Sequence, residues 1–270
     1  MKRIAILNDI HGNYLLLERI LRDLKYQNID EYIICGDLVT DGFENNLVVD
    51  KIKKLTSYVI AGNRDEDIAK YDGVSWINNE RFKNMQYAYD ELTNDNIEYL
   101  KQLLIYKVIE IENKKICFSH GSPYNVRDSI KPHMYSIFDK LINDFDCDIY
   151  LFAHTHQQFN ITYNNRWFIN SGAINCPSSG KPASFYGILT INGDVINYEQ
   201  KEYQYDFEEL KRYYLDSNYY KICPEWSNLI LYTLKTGNDQ CCAFINSMKE
   251  NLSYKDNFIN YMKKNNNEIL

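Results

Sequence analysis

The chain is expected to fold as an α/β domain, α+β in its second half, with a helical C-terminal appendage. Three observations predict this. Short apolar runs alternate with amphipathic helical stretches over roughly the first 60 residues, hairpin signals replace that alternation from about Val108, and from Asp206 onward the apolar spacing is helical.

Arg3 to Leu7 reads as a buried strand, Asn13 to Lys25 as an amphipathic helix, Tyr32 to Cys35 as a second strand, Glu44 to Lys54 as a helix and Ser57 to Ile60 as a third strand. This βαβαβ opening implies parallel strands covered by helices. A helical region follows from Glu80 to Leu104, with Thr93 to Ile97 reading as a break and a fresh cap. Val108 to Ile111 and Lys115 to Phe118 form a hairpin about Glu112 to Lys114, and His133 to Phe145 reads as a helix. Asp148 to Phe152 is a short strand. Phe159 to Tyr163 and Trp167 to Asn170 turn at Asn164 and Asn165, and Tyr186 to Ile191 and Val195 to Tyr198 turn at Asn192 and Gly193. Phe207, Leu210 and Tyr214 share a helical face, so the chain divides into a domain over residues 1–200 and a helical appendage over 201–270.

At 270 residues, with 45% apolar and 25% charged residues, the chain can bury a large core without disulfides. Its seven cysteines are scattered without a CxxC pair, which suits a reducing cytosol. No stretch approaches 18 consecutive apolar residues, so neither a membrane span nor a membrane partner is expected, and the location expected is cytoplasmic. The net charge of −7, with no basic run, disfavours a nucleic acid polymer as partner. A small phosphorylated substrate remains compatible, because bound metal can invert the local field.

Five segments place Asp, Asn or His where a predicted strand ends: Asp9-Ile10-His11-Gly12-Asn13, Gly36-Asp37, Gly62-Asn63-Arg64-Asp65, Ser119-His120-Gly121 and His154-Thr155-His156. Strand ends are where ligand sites form in α/β sheets. The chain has only five histidines, and all but His133 fall in these segments. The donors are all oxygen or nitrogen, which favours Mn, Fe or Zn.

The ordered set DxH, GD, GN, H and HxH resembles the calcineurin-like metallophosphoesterase superfamily over roughly residues 1 to 200. The resemblance implies a four-layer α-β-β-α sandwich and a centre of two divalent or mixed-valence ions. One ion would take Asp9, His11 and His156, the other Asn63, His120 and His154, and Asp37 would bridge both. It further implies phosphoester hydrolysis by attack of a hydroxide shared between the ions. Two such ions lower the pKa of their water and neutralise charge on the phosphoryl oxygens, and Asp9 and Asp37 leave the centre about one unit positive.

The third motif departs from the family pattern, which has histidine where this chain has Arg64. A guanidinium cannot give up a proton near neutral pH, yet its fork can hold two phosphate oxygens. The substitution disfavours phosphomonoesters with poor leaving groups and points to phosphodiesters or phosphoanhydrides. Bacterial relatives with arginine here and a similar extension are associated with dinucleoside polyphosphates, so a diadenosine tetraphosphate-like substrate is what the resemblance implies. Asp37, Asn63 and Arg64 are the candidate catalytic residues, and Asn13, Arg64 and Tyr124 the candidate substrate contacts. Asn13 is equally a helix cap, Arg64 equally an ion-pair partner of Asp65 or Asp67, and Trp226 either a core residue or a platform for a base. Two alternatives stand beside the phosphodiesterase: a serine/threonine-type protein phosphatase, and a non-catalytic binding module on the same fold. The sequence leaves the oligomeric state open.

Overall fold

The computed structural model describes residues 1–270. The elements run β1 (Lys2–Leu7), α1 (Tyr14–Leu24), β2 (Glu31–Ile34), α2 (Asn45–Leu55), α3 (Asn63–Ala69), α4 (Lys83–Glu91), α5 (Asn94–Gln102), β3 (Tyr106–Ile111), β4 (Lys114–Ser119), α6 (Tyr135–Phe145) and β5 (Ile149–Phe152). They continue with β6 (Phe159–Tyr163), β7 (Arg166–Asn170), β8 (Ser184–Asn192), β9 (Val195–Tyr203), α7 (Phe207–Leu215), α8 (Asn218–Ile222), α9 (Pro224–Thr236), α10 (Gln240–Ser247) and α11 (Tyr254–Lys264).

Two mixed sheets result, ordered β2-β1-β8-β9 and β3-β4-β5-β7-β6. β1 and β2 are parallel in the first, and β4, β5 and β7 are parallel in the second. The period-two alternation of each strand decides what its faces cover. Ile4 and Ile6 of β1 meet Ile116 and Phe118 of β4 and Ile149 and Leu151 of β5 in an apolar layer between the sheets. Ala5 and Leu7 face the opposite way, onto Leu16, Leu17 and Ile20 of α1 and Val48 and Val49 of α2. Cys117, Tyr150, Phe152 and Phe168 face outward onto Phe138 and Leu141 of α6. The four-layer α-β-β-α sandwich is thus dictated by which residues are apolar on each face.

The hairpins turn as the sequence requires. Ile111 pairs with Lys114 and Tyr163 with Arg166, so each loop has two residues, and Glu112, Asn113, Asn164 and Asn165 all have positive φ, as a primed turn demands. Thr93 caps α5 by accepting from the Asn96 N–H at 3.2 Å, giving the break expected there.

Three expectations need correction. Ser57 to Ile60 is not a full strand: Val59 forms one isolated parallel bridge with Ile34, and the Ala61 N–H then bonds Leu104 instead. The chain leaves the sheet there because Gly62 must pass beneath Asp37. Second, α6 begins at Tyr135, since His133 has a φ of 70° that no helix accommodates. Third, Gly62-Asn63-Arg64-Asp65 does not follow a full strand but opens the helix α3, to which the sequence reading assigned no element. Asp65 accepts from the Gly62 N–H at 2.8 Å, half of a capping box, and an acid three residues after Gly62 was the available signal.

The C-terminal helices pack into the same apolar cluster as α1 and α2, with Leu229, Ile230, Leu231 and Leu234 of α9 fully buried in it. Pro224 opens α9 and left-handed Gly237 closes it, the usual asymmetry of helix ends. No helix is long and apolar enough to cross a membrane.

Candidate metal centre

Because β1, β2, β4 and β5 carry their loops at the same edge, their C-terminal ends bring four of the five segments together. Backbone bonds lock the loops to each other: the Asp9 N–H donates to the Gly36 carbonyl at 3.1 Å, His11 to Asp37 at 2.9 Å and Ala153 to His120 at 2.8 Å. Asn8 staples the two sheets, donating to the Phe152 carbonyl at 3.1 Å and to Ser171 Oγ at 2.8 Å. The third segment arrives on α3, whose Arg64 N–H donates to Asp37 Oδ1 at 2.8 Å. A Cβ on Gly62 would lie 2.1 Å from that oxygen, so only glycine allows the approach.

Asp9, His11 and His156 form one group of potential ligands, and Asp9, Asp37 and His120 form another. Asp37 Oδ2 lies 3.6 Å from His11 Nε2 and 3.4 Å from His120 Nε2, so it stands between the halves. Asp9 does too, with Oδ1 at 3.4 Å from His156 Nε2 and 3.9 Å from His120 Nε2. The sequence had assigned the shared position to Asp37 alone. Asn63 Oδ1 is 3.1 Å from His120 Nε2, and the His154 ring packs 5.1 Å from that of His120.

The donor set fits bound cations. The His120 Nδ1–H donates to the Cys35 carbonyl at 2.8 Å and that of His156 to the Cys176 carbonyl at 2.6 Å, tautomers assigned from those acceptors, which aims both Nε2 atoms inward. His11 Nε2 faces His156 Nε2 at 3.3 Å, a pair that a proton or a shared cation would reconcile. Neither carboxylate oxygen of fully buried Asp9 accepts a hydrogen bond from the chain. Asp9, His11, Asp37, His154 and His156 all hold left-handed backbone, strain of about 1–3 kcal/mol each that concentrates where function requires it.

Comparison with known proteins places the fold. The model of the calcineurin-like phosphoesterase superfamily domain matches residues 1–194. The chain belongs to that superfamily. A metallophosphoesterase from Sphaerobacter thermophilus superposes with a TM-score of 0.70 at 19% identity, covering 87% of this chain and 99% of that one. The hypothetical protein PH1004 from Pyrococcus horikoshii OT3 gives 0.70 at 21% identity, covering 85% and 98%. The uncharacterized protein MJ0912 of Methanocaldococcus jannaschii is 23% identical over 239 residues, 83% of this chain and 94% of its own length.

In this member of the calcineurin-like phosphoesterase superfamily, charge within the cluster is tightly compensated. Burial disfavours an imidazolium, yet the adjacent Asp37 pushes His120 up to about 9, and Asp9 pushes His156 up to about 9. Against the upward pull of burial, His120 in turn holds Asp37, and His156 holds Asp9, below the ordinary carboxylate value. Burial and the neighbouring His120 drop His154 to about 4. Burial together with the Asp37 charge raises Asp65 to about 7. Without metal, protons on His120 and His156 occupy the role of the cations, so metal binding must expel them. Manganese affinity is therefore expected to climb with pH and level off near 9. The sign for stability of the metal-free protein is opposite: the raised histidine values contribute fully below the unfolded value of 6.5 and fade as pH rises through about 9. Thermal unfolding with and without manganese at pH 6, 7.5 and 9 measures both, and a manganese-induced gain independent of pH would contradict the proton exchange.

The remaining site candidates separate. Arg64 lines the cleft, its Nε 3.6 Å from Asp41 Oδ2 and one terminal nitrogen 3.7 Å from Met85 Sδ. It pairs with neither expected acid: Asp65 binds the Leu38 and Gly62 N–H groups, and Arg127 takes Asp67. Asn13 is engaged as a helix cap and does not line the cleft. Its Oδ1 caps α1 through the Leu16 N–H at 3.1 Å, its Nδ2 donates to Asn175 at 3.3 Å, and it is 1% exposed. Tyr124 is not in the cleft either, because its hydroxyl donates to Asp144 on α6 at 2.6 Å and Lys140 covers its ring. Sequence reasoning missed Asp41, which is buried and receives Trp226 Nε1–H at 2.7 Å and Asn84 Nδ2–H at 3.0 Å, with His11 Nδ1 3.3 Å from its other oxygen.

Proposed function

We propose that the protein is a cytoplasmic two-metal phosphohydrolase acting as a phosphodiesterase on small nucleotide-type diesters or anhydrides, diadenosine tetraphosphate among them. The observation that carries this reading is the convergence of Asp9, His11, Asp37, His120 and His156, with Asn63 and His154 against His120, beside an arginine where the family pattern has histidine. Ions of Mn, Fe or Zn bound there would activate water and neutralise the phosphoryl oxygens.

The chain's own residues define the rest. Arg64 sits on the wall of the cleft with its guanidinium pinned to one side by Asp41, leaving its other edge for phosphate oxygens. Asp41 and Asp37, working against burial, raise its pKa further, so it holds charge at every working pH and donates no proton to a departing alkoxide. A leaving group that needs no proton, a nucleotide phosphate or an aryloxide, suits this site. The retained ligand set favours catalysis over a binding module. The net charge of −7 argues for a small substrate over a nucleic acid polymer.

Initial rates on a phosphomonoester, an aryl phosphodiester and diadenosine tetraphosphate, with manganese, test the reading. Activity on the diester or the dinucleotide, and at least about tenfold less on the monoester, is the expected result. The variant Arg64→His is expected to gain monoesterase activity by about tenfold, as it regains a group that titrates near neutrality. Dominant monoesterase activity in the unaltered protein would overturn the leaving-group argument, and dephosphorylation of phosphopeptides would favour a protein phosphatase.

A further inference from the structure

Beside the metal cleft lies a second cavity of about 250 Å³, larger than the cleft's own volume of about 100 Å³. Its wall is mainly apolar: Phe82 precedes α4, Met85 stands on it, Trp226 comes from α9 and Ile245 from α10. Arg81 and Asn246 supply its polar edge. The two spaces are contiguous, since Arg64, Cys241 and Cys242 line both. Resting on the phosphohydrolase reading above, we infer that this cavity is the subsite for a planar aromatic substituent carried on the substrate's phosphorus.

Four features argue for that occupant. Arg64 is the shared wall, so a phosphoryl group held between it and the ligand cluster must direct one substituent toward the cavity. The surfaces presented, an indole, a phenyl ring, a thioether and a branched alkyl, are those that stack on or pack against a flat ring. Trp226 is fixed rather than loose, because its Nε1–H is spent on Asp41, leaving its carbon surface to face the cavity without a polar demand. Arg81 and Arg64 add positive charge at the edge, which suits a group tethered to an anion and disfavours a free apolar molecule. A nucleobase and a simple aryl group share this chemistry.

Calorimetric titration of manganese-loaded protein with methyl phosphate, phenyl phosphate and adenosine 5′-monophosphate tests the assignment. Each probe carries a single substituent, so the choice of leaving group does not enter. At least one aromatic probe is expected to bind tenfold or more tighter than methyl phosphate. Tighter binding of the nucleotide identifies a base as the occupant, and preference for phenyl phosphate alone identifies an aryl group. Asn246→Trp, which fills the cavity from an exposed position, and Phe82→Ala, which removes a wall, are each expected to shrink the preference to threefold or less. Both are expected to leave manganese binding and methyl phosphate affinity unchanged. Equal affinity for the three probes, no binding of any of them, or a preference that survives both variants would overturn the subsite. Hydrolysis of the diesters is measured on the same preparations. Turnover without aromatic preference sinks the subsite alone, and preference without turnover of any diester sinks the phosphodiesterase reading alone.

Discussion

Asp37→Ala is expected to cut manganese-dependent hydrolysis by about 10³-fold or more and to strip metal from both halves of the centre at once. One oxygen of Asp37 lies within 3.6 Å of His11 Nε2 and within 3.4 Å of His120 Nε2, so no other single truncation removes a ligand from both sides except that of Asp9. Its other oxygen accepts the Arg64 N–H at 2.8 Å, which positions the guanidinium's own backbone. Alanine would thus lose the shared anionic ligand, leave a donor at the start of α3 unpaired at about 1–3 kcal/mol, and free Arg64 to drift. Metal content by elemental analysis should fall well below that of the parent, and the Mn-induced rise in unfolding temperature should vanish. Full metal retention with a rate within tenfold of the parent would show that Asp9 alone can hold the two halves together.

Legibility in the sequence followed the range of the interactions. β1, α1 and β2 were readable because the period of their apolar residues is local and each face has one thing to cover. The candidate metal ligands were readable because histidine is scarce in this chain and falls after strands. Asn13 and Tyr124, read as candidate substrate contacts, are engaged elsewhere for opposite reasons. Asn13 precedes a helix, and its local capping bond outcompeted any ligand. Tyr124 follows His120 in sequence, but its hydroxyl is captured by Asp144, 20 positions on, which turns it away from the cleft. The helix α3 hid behind a Gly-Asn pair that more often signals a turn. Asp41 was invisible altogether, since its partners Asn84 and Trp226 lie 43 and 185 positions away and neither forms part of a recognisable spacing.

That same residue carries the largest stability effect expected of any single change. Asp41 is 4% exposed and joins five parts of the fold: its own loop after β2, His11 after β1, Arg64 on α3, Asn84 on α4 and Trp226 on α9. Burial pulls its pKa up, but Arg64 and the donors around it win and hold the carboxyl below its ordinary value. Its contribution to stability is therefore present above the carboxylate range and lost as pH falls through it. Asp41→Ala would leave a half-buried guanidinium, a buried indole N–H and a buried carboxamide without their acceptor. The expected cost is about 3–5 kcal/mol, roughly 10 °C in unfolding temperature for a chain of this size. Asp41→Asn separates the two roles of the residue. Its carbonyl oxygen can still accept from Trp226 and Asn84, while its NH₂ group must face Arg64 and His11, donor against donor. Stability should then be partly restored, whereas KM for an aryl diester should rise by about tenfold because Arg64 has lost its anchor. If Asp41→Ala unfolds within 1 kcal/mol of the parent, by the scale on which exposed pairs operate, then α9 is held to the site by apolar packing alone and Asp41 has no part in placing the arginine.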